Sequence, residues 1–269
     1  MEFDLDTGWQ LLPAGGDTGR AYIGIRAEEK VFLKRNSSPF LAALSLEGVT
    51  PRLVWTKRMG NGDVLTAQEW LNGRVLLKEE MDSPQVAKLL RKIHTSLPLK
   101  KMLKRVGGVK TTPADFLELF QMDLDPELKG HPLIKKVQQK LTEESKSLPN
   151  VSVSVCHGDI YRKNWLLSDE SKLYLVDWDM ALLADPVIDI SMLLYQYVAR
   201  EKWSEWLLEY GEPLTPDLLK RISWYGMINL LNRIKQYHQK GRFHEMNHDL
   251  MLLEKVFQPT ESFPNLSVD

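Results

Sequence analysis

Cysteine is almost absent from this sequence: Cys156 is the sole one in 269 residues. A single thiol excludes an intrachain disulfide and any zinc site built on a CxxC pair, and it suits a reducing compartment, so a cytoplasmic location is expected. Net charge is nearly absent too, with 35 Lys and Arg against 36 Asp and Glu giving -1. No global field then draws in nucleic acid or an anionic membrane, and neither is expected as a partner. Long apolar runs are missing. The most apolar stretch, 218–237, is broken by Lys220, Arg221, Arg233 and Lys235, charges that would be costly in lipid, so it reads as an amphipathic core helix with no membrane insertion. The first ten residues carry Glu2, Asp4 and Asp6 and lack the basic start and apolar run of a signal peptide, so the mature chain is expected to begin at Met1. No internal repeat, low-complexity run or long linker is present. What remains is 43% apolar residues, a content typical of a folded globular protein.

The first third reads as short β segments at 9–12, 21–25, 31–34 and 64–69, separated by turn formers at 13–19, 28–30 and 60–63. An antiparallel sheet is expected. Between the third and fourth segments, 39–47 has helical spacing at Leu41 and Leu44, and 49–55 is expected to return to the sheet. After Asn72-Gly73 the apolar period lengthens to that of a helix at 84–94 and 131–146. A compact β-rich insert follows at 151–156, 165–167 and 173–176, and helices are expected at 188–198, 202–209, 217–239 and 244–257. The tail from Gln258 is expected to be mobile. The fold class is thus α+β in two lobes: residues 1–72 form a small antiparallel β lobe with one helix, and residues 73–269 form a larger, mainly helical lobe. Clefts between such lobes are common ligand sites.

The strongest chemical signal is His157-Gly158-Asp159-Ile160-Tyr161-Arg162-Lys163-Asn164, followed after a short hairpin by Asp177-Trp178-Asp179. In kinases a catalytic Asp precedes an Asn by five positions, and a metal-binding Asp lies beyond a hairpin. Asp159, Asn164 and Asp177 have that spacing. A hydroxyl attacking the γ-phosphoryl of ATP needs a carboxylate to orient it and take its proton, which assigns Asp159 as catalytic base. Asn164 and Asp177 supply hard oxygens suited to Mg²⁺. His157 is expected to support the loop, and Tyr161 and Arg162 to lie near the reacting hydroxyl as substrate contacts. Asp, Asn and Gly are also ordinary turn residues, but four identities and two spacings agree together. Cys156 and His157 point to opposite faces as strand neighbours, so the thiol reads as a small buried group.

Lys34, at the end of the apolar strand 31–34, resembles the lysine of a V-A-I-K strand and would pair the α- and β-phosphates. Glu47, on the small-lobe helix, is the candidate ion-pair partner for Lys34. Gly15, Gly16 and Gly19 would let the backbone approach phosphates, although the stretch is no G-x-G-x-x-G. Gln68, Glu69, Trp70 and Leu71, leaving the last small-lobe strand, are placed to offer backbone groups to an adenine. Asp185 and Asp189 open a helix, where capping accounts for carboxylates; Asp189 is expected as a buried acceptor for the catalytic-loop backbone. Trp203, Trp206, Tyr210, Trp224 and Tyr225 could stack on a base or surround a quaternary ammonium, or could be core.

Together these residues resemble the aminoglycoside phosphotransferase and choline kinase group, whose H-G-D-x-x-x-x-N, D-W-D and D-P-x-x-D elements stand here at 157–164, 177–179 and 185–189. The resemblance implies a bilobal protein-kinase-like fold that uses ATP and Mg²⁺ to phosphorylate a small-molecule hydroxyl. Segments 13–22, 32–39, 54–58 and 176–179 are similar to the bacterial YtmP/CcrZ branch. That likeness implies a ribosyl or deoxyribosyl nucleoside as substrate, a role in cell-cycle or division control, and a division protein such as FtsZ as partner. Only seven residues separate Asp177 from Asp185, which leaves no room for a long activation loop and favours a small substrate. Two competing readings stand beside this one: a nucleotide-binding adaptor with little catalysis, and an aminoglycoside-inactivating enzyme, which Arg162 and Lys163 disfavour for a polycationic substrate.

Overall fold

The structure is a computed structural model that describes residues 8–14 and 21–258. Gly15, Gly16 and Gly19 lie outside the described residues, as does most of the C-terminal tail. The chain forms two compact units: the described residues up to Val109 together with His157–Leu183, and Lys110–Cys156 together with the described residues from Ala184 onward.

The first unit opens with strands β1 (Gln10–Pro13), β2 (Ala21–Arg26) and β3 (Glu29–Arg35), helix α1 (Phe40–Leu46), and strands β4 (Leu53–Arg58) and β5 (Val64–Glu69). The strands form one antiparallel sheet in the order β1-β2-β3-β5-β4. Side chains alternate across a strand, and β3 shows what that does: Val31 and Leu33 enter a core with Met59, Leu65 and Ala67, which leaves Phe32 and Lys34 on the other face. Strand β4 begins at Leu53 rather than at 49, as expected from the sequence. Pro51 cannot donate to a ladder, and the buried Val49 gives its carbonyl to the Leu175 N–H at 3.0 Å. Strand β6 (Gly73–Val75) and helices α2 (Pro84–Thr95) and α3 (Leu97–Arg105) complete this stretch.

The chain then enters the second unit with α4 (Pro113–Gln121), α5 (Pro126–Gly130), α6 (Pro132–Ser145) and β7 (Ser154–Cys156). It returns to the first for β8 (Trp165–Ser168) and β9 (Leu173–Leu175), and leaves it along β10 (Leu182–Ala184) for α7 (Val187–Tyr197), α8 (Trp203–Tyr210), α9 (Pro216–Gln239) and α10 (Phe243–Phe257). Helix α9 is the spine of the second unit. Its Trp224 is fully buried and donates from Nε1 to the Leu141 carbonyl of α6 at 3.0 Å. Trp203, Trp206, Tyr210 and Tyr225 are buried with it, so all five late aromatics are core. Cys156 is buried as expected, and burial, followed by the nearby Asp189 and Asp185 carboxylates, pushes its thiol well above the ordinary range. No helix among the described residues is long and apolar enough to cross a membrane.

The compact units are not cut at Asn72-Gly73. Strand β6 pairs with β8, and β8 with β9, in a second antiparallel sheet of the first unit. Gly73 makes that pairing close: a Cβ there would stand 2.3 Å from the Leu167 carbonyl oxygen. The catalytic-loop segment and the following hairpin therefore belong with the five-stranded sheet.

Candidate active site

His157 is fully buried, and its two ring nitrogens have different tasks. Nε2 donates to the Val176 carbonyl at 2.9 Å, and Nδ1 accepts the Asp159 N–H at 3.2 Å. A carbonyl only accepts and an N–H only donates, so the ring is the neutral Nε2–H tautomer. It braces the loop and is in no position to exchange protons with a substrate. Gly158 has φ of 78°, and a Cβ there would lie 2.8 Å from the Met180 carbonyl oxygen. Gly158→Ala is expected to cost about 1–3 kcal/mol from backbone strain alone, read as a lowered midpoint in chemical denaturation.

Asp159 is held by the residue five positions on. Asn164, only 3% exposed, donates from Nδ2 to the Asp159 carbonyl at 2.8 Å and to its Oδ2 at 2.9 Å. One turn of 3₁₀ helix at Arg162–Asn164 closes the loop and brings the two residues together. Among the described residues nothing donates to Asp159 Oδ1 or to Asn164 Oδ1. One free oxygen suits a proton acceptor and the other a metal ligand.

Lys34 crosses from the sheet to the hairpin. Its Nζ donates to Asp177 Oδ1 at 2.8 Å and to Asp179 Oδ2 at 2.9 Å. Partial burial pulls the ammonium's pKa down, but the hydrogen bonds to Asp177 and then Asp179 outweigh it, and the pKa is raised. Both carboxylates are about half exposed, at 45% and 51%. Asp177 has left-handed backbone, φ 65° and ψ 64°, a conformation that non-glycine residues seldom adopt and that clusters at functional sites. Trp178, between the two acids, turns inward: it is 7% exposed, donates from Nε1 to the Leu175 carbonyl at 2.8 Å, and meets His157 and Phe40 edge-on at 4.7 and 5.9 Å. One buried indole thus packs against the catalytic-loop histidine and helix α1 and bonds the backbone of β9.

The structure brings Lys34, Asp159, Asn164 and Asp177 into one unit. It does not bring Glu47 to Lys34. Glu47 ends α1, and its backbone carbonyl accepts the Lys92 ammonium, while Lys34 is held by Asp177 and Asp179. Asp179 takes the place on Lys34 that was expected of Glu47, and the second acid of Asp177-Trp178-Asp179 is the sequence signal that points to it. The Gln68 side chain is buried and donates to the Pro51 carbonyl at 3.0 Å, so it braces β4. Glu69 ends β5 with its N–H on the Arg52 carbonyl at 2.8 Å, and Trp70 carries the Lys30 ammonium 3.8 Å from its ring centre. Leu71 follows as a partly exposed residue. Tyr161 is half-buried beside Asp159, its N–H on the Asp159 carbonyl at 2.8 Å. Arg162 donates from Nη1 to the Leu76 carbonyl at 2.8 Å. In the second unit, Asp185 caps α7 through the Val187 N–H at 2.9 Å and holds Arg221 with both oxygens; Asp189 is buried in the first turn of α7.

A small antiparallel sheet with a larger helical part, and this arrangement of lysine, paired Asp and Asn, and left-handed Asp, define a kinase-type phosphotransferase. The chain belongs to the phosphotransferase enzyme family, whose model matches residues 25–223. Among solved structures it is similar to the choline kinase LicA from Streptococcus pneumoniae, at 16% identity and a TM-score of 0.70 over 93% of this chain and 95% of that one. It is similar to an aminoglycoside phosphotransferase, APH(2")-IIIa, solved with GDP and kanamycin, at 14% identity and a TM-score of 0.68 over 97% and 95%. A choline/ethanolamine kinase family protein from Mesorhizobium loti matches at 16% identity and a TM-score of 0.65 over 93% and 92%. At these identities the likeness shows the fold, and it bears out the expected kinase-like architecture.

Proposed function

We propose that this protein transfers the γ-phosphoryl group of ATP to a hydroxyl of a small molecule, most specifically a ribosyl or deoxyribosyl nucleoside. The observation that carries the reading is the Asp159–Asn164 pair, with one oxygen of each side chain left open, in the same compact unit as Lys34 and Asp177. Nucleotide use is supported by the complexes of the structural neighbours, LicA with AMP and the aminoglycoside enzyme with GDP. The open oxygen of Asn164 and the second oxygen of Asp177 make a hard donor set, which fits Mg²⁺. When bound, Mg²⁺ supplies charge neutralisation at the phosphates. Asp159 Oδ1 accepts the hydroxyl proton, Asn164 holds the carboxylate in its rotamer, and Lys34 gives its positive charge to the nucleotide phosphates. Trp70 and Leu71, just past β5, offer backbone groups to the base of ATP.

The nucleoside reading rests on the likeness of segments 13–22, 32–39, 54–58 and 176–179 to the YtmP/CcrZ branch, and with it go a role in cell-cycle control and a division protein such as FtsZ as partner. Arg162 and Lys163 in the catalytic loop weigh against a polycationic acceptor. The test is ADP release by purified protein with Mg²⁺-ATP across nucleosides, choline and aminoglycosides. Turnover with nucleosides alone is expected. Turnover confined to choline or to aminoglycosides would replace the substrate while keeping the enzyme, and no turnover with any class would remove the reading.

A further inference from the structure

The catalytic loop is bound at two points to the segment that follows β5 and β6, and one of these is a side chain. Strand β6 pairs with β8, Val75 opposite Leu166, and the Leu76 N–H continues the ladder to the Trp165 carbonyl at 3.0 Å. Any sequence could make those backbone bonds. The Leu76 carbonyl, however, accepts Arg162 Nη1 at 2.8 Å, and Arg162 is the first residue of the turn that delivers Asn164 to Asp159. Both polar backbone groups of Leu76 are therefore spent on residues flanking Asn164, and its side chain is buried.

The receiving segment is itself locked. Arg74 Nη1 and Nη2 each donate to a Glu80 carboxylate oxygen at 2.6 Å, and the Leu77 N–H donates to the same carboxylate at 2.6 Å. The Arg74 hydrogen bonds, then that of Leu77, hold the Glu80 carboxyl at about 2, far below the ordinary range. A bidentate guanidinium–carboxylate pair adds geometric definition that a point charge lacks. The clamp closes the turn on either side of Leu76 and so fixes where its carbonyl points.

We propose that Arg162 is a positioning residue for the phosphoryl transfer and makes no substrate contact: through Leu76 and the Arg74–Glu80 clamp it ties the Asp159–Asn164 turn to the chain leaving the nucleotide-bearing strand β5. The proposal rests on the functional reading above for its kinetic consequences and is independent of it for its structural ones. Guanidinium geometry matters because Nη1 reaches the Leu76 carbonyl along a planar fork, which a shorter amide cannot span.

The test compares Arg162→Gln, Arg162→Lys and Glu80→Gln with the wild type. In Arg162→Gln the loss of alignment is expected to lower kcat by about 10–100-fold with the acceptor KM within about twofold, the signature of an interaction realised in the transition state. Arg162→Lys is expected to restore part of kcat. Glu80→Gln is expected to lower kcat in the same direction and to add little to Arg162→Gln in the double variant, since both act through Leu76. A rise in acceptor KM with kcat unchanged would make Arg162 a substrate contact and overturn the proposal. Amide hydrogen exchange reports without any turnover: faster exchange at Tyr161 and Asn164 in Arg162→Gln is expected, and unchanged exchange overturns the tether even if the protein proves to be no phosphotransferase.

Discussion

Asp159→Asn is expected to lower kcat by about 10²–10⁴-fold, the range set by removing a general base, with the fold and ATP affinity kept. The substitution is nearly isosteric, and its amide oxygen still accepts the Asn164 Nδ2–H that now holds Oδ2 at 2.9 Å. The Asp159 backbone carbonyl and N–H, bound to Asn164 and His157, are untouched. What disappears is the basicity of Oδ1. Steady-state kinetics with the acceptor selected by the panel, together with ATP binding by calorimetry, check this. Loss of ATP affinity in parallel with kcat would mean that Asp159 serves nucleotide binding rather than proton transfer.

Trp178→Ala is expected to be the most destabilising single change in the site, by about 3–5 kcal/mol, the cost of a large aromatic removed from a packed interior. The indole touches His157 and Phe40 and caps the Leu175 carbonyl, so its loss opens a cavity and leaves that carbonyl without its donor. Catalysis is expected to suffer beyond stability, because Trp178 directly follows the left-handed Asp177. Trp178→Phe is expected to recover much of the stability and to lack the Nε1 bond. Urea denaturation of both variants, with turnover measured well below the midpoint, separates the two effects. A Trp178→Ala protein with wild-type stability would show that the turn is organised by Lys34 and the ladder alone.

Much of this site was legible because kinase chemistry fixes both residue type and spacing: Asp159, Asn164 and Asp177 are separated by loops too short to vary freely. Lys34 is legible as the lysine that closes the apolar strand 31–34, in the manner of a V-A-I-K strand. Its partner is not. A carboxylate at the end of α1, Glu47, and a hairpin carboxylate, Asp179, are equally plausible in sequence, and the structure places Asp179 on the ammonium at 2.9 Å. Arg162 reads from sequence as a substrate contact because it is a charged residue in a catalytic loop, and no local pattern announces its hydrogen bond to the Leu76 carbonyl. The expectation for Gln68 concerns its backbone, and sequence gives no sign that its side chain donates to the carbonyl of Pro51.

The fold was read most faithfully where the pattern is long. Strand β5, at Val64–Glu69, and helix α9, at Pro216–Gln239, match expectation to within a residue. Helices α3, α4 and α5 went unread, although their starts carry capping signals. Ser96 accepts the Leu99 N–H, Thr112 and Asp115 form a reciprocal box, and Asp125 accepts the Glu127 N–H. Each has Pro in its first turn, where a missing N–H costs nothing. Helices of 5 and 9 residues offer too few turns for apolar periodicity to emerge, so caps were the only signal available. The division into units was hidden because it depends on β6 pairing with β8, a contact between segments about ninety residues apart that no local pattern announces.

Transfer of a phosphoryl group from ATP to a hydroxyl, the activity proposed for this protein, is read straight from the mass of the acceptor. Wild-type protein with Mg²⁺-ATP is predicted to give an acceptor heavier by one phosphoryl group, with one ADP formed per product, and to stop when the metal is chelated or when Asp159→Asn replaces the wild type. An unmodified acceptor would mean that no phosphoryl group is transferred to it, and product formed equally by Asp159→Asn would mean that Asp159 is not the base.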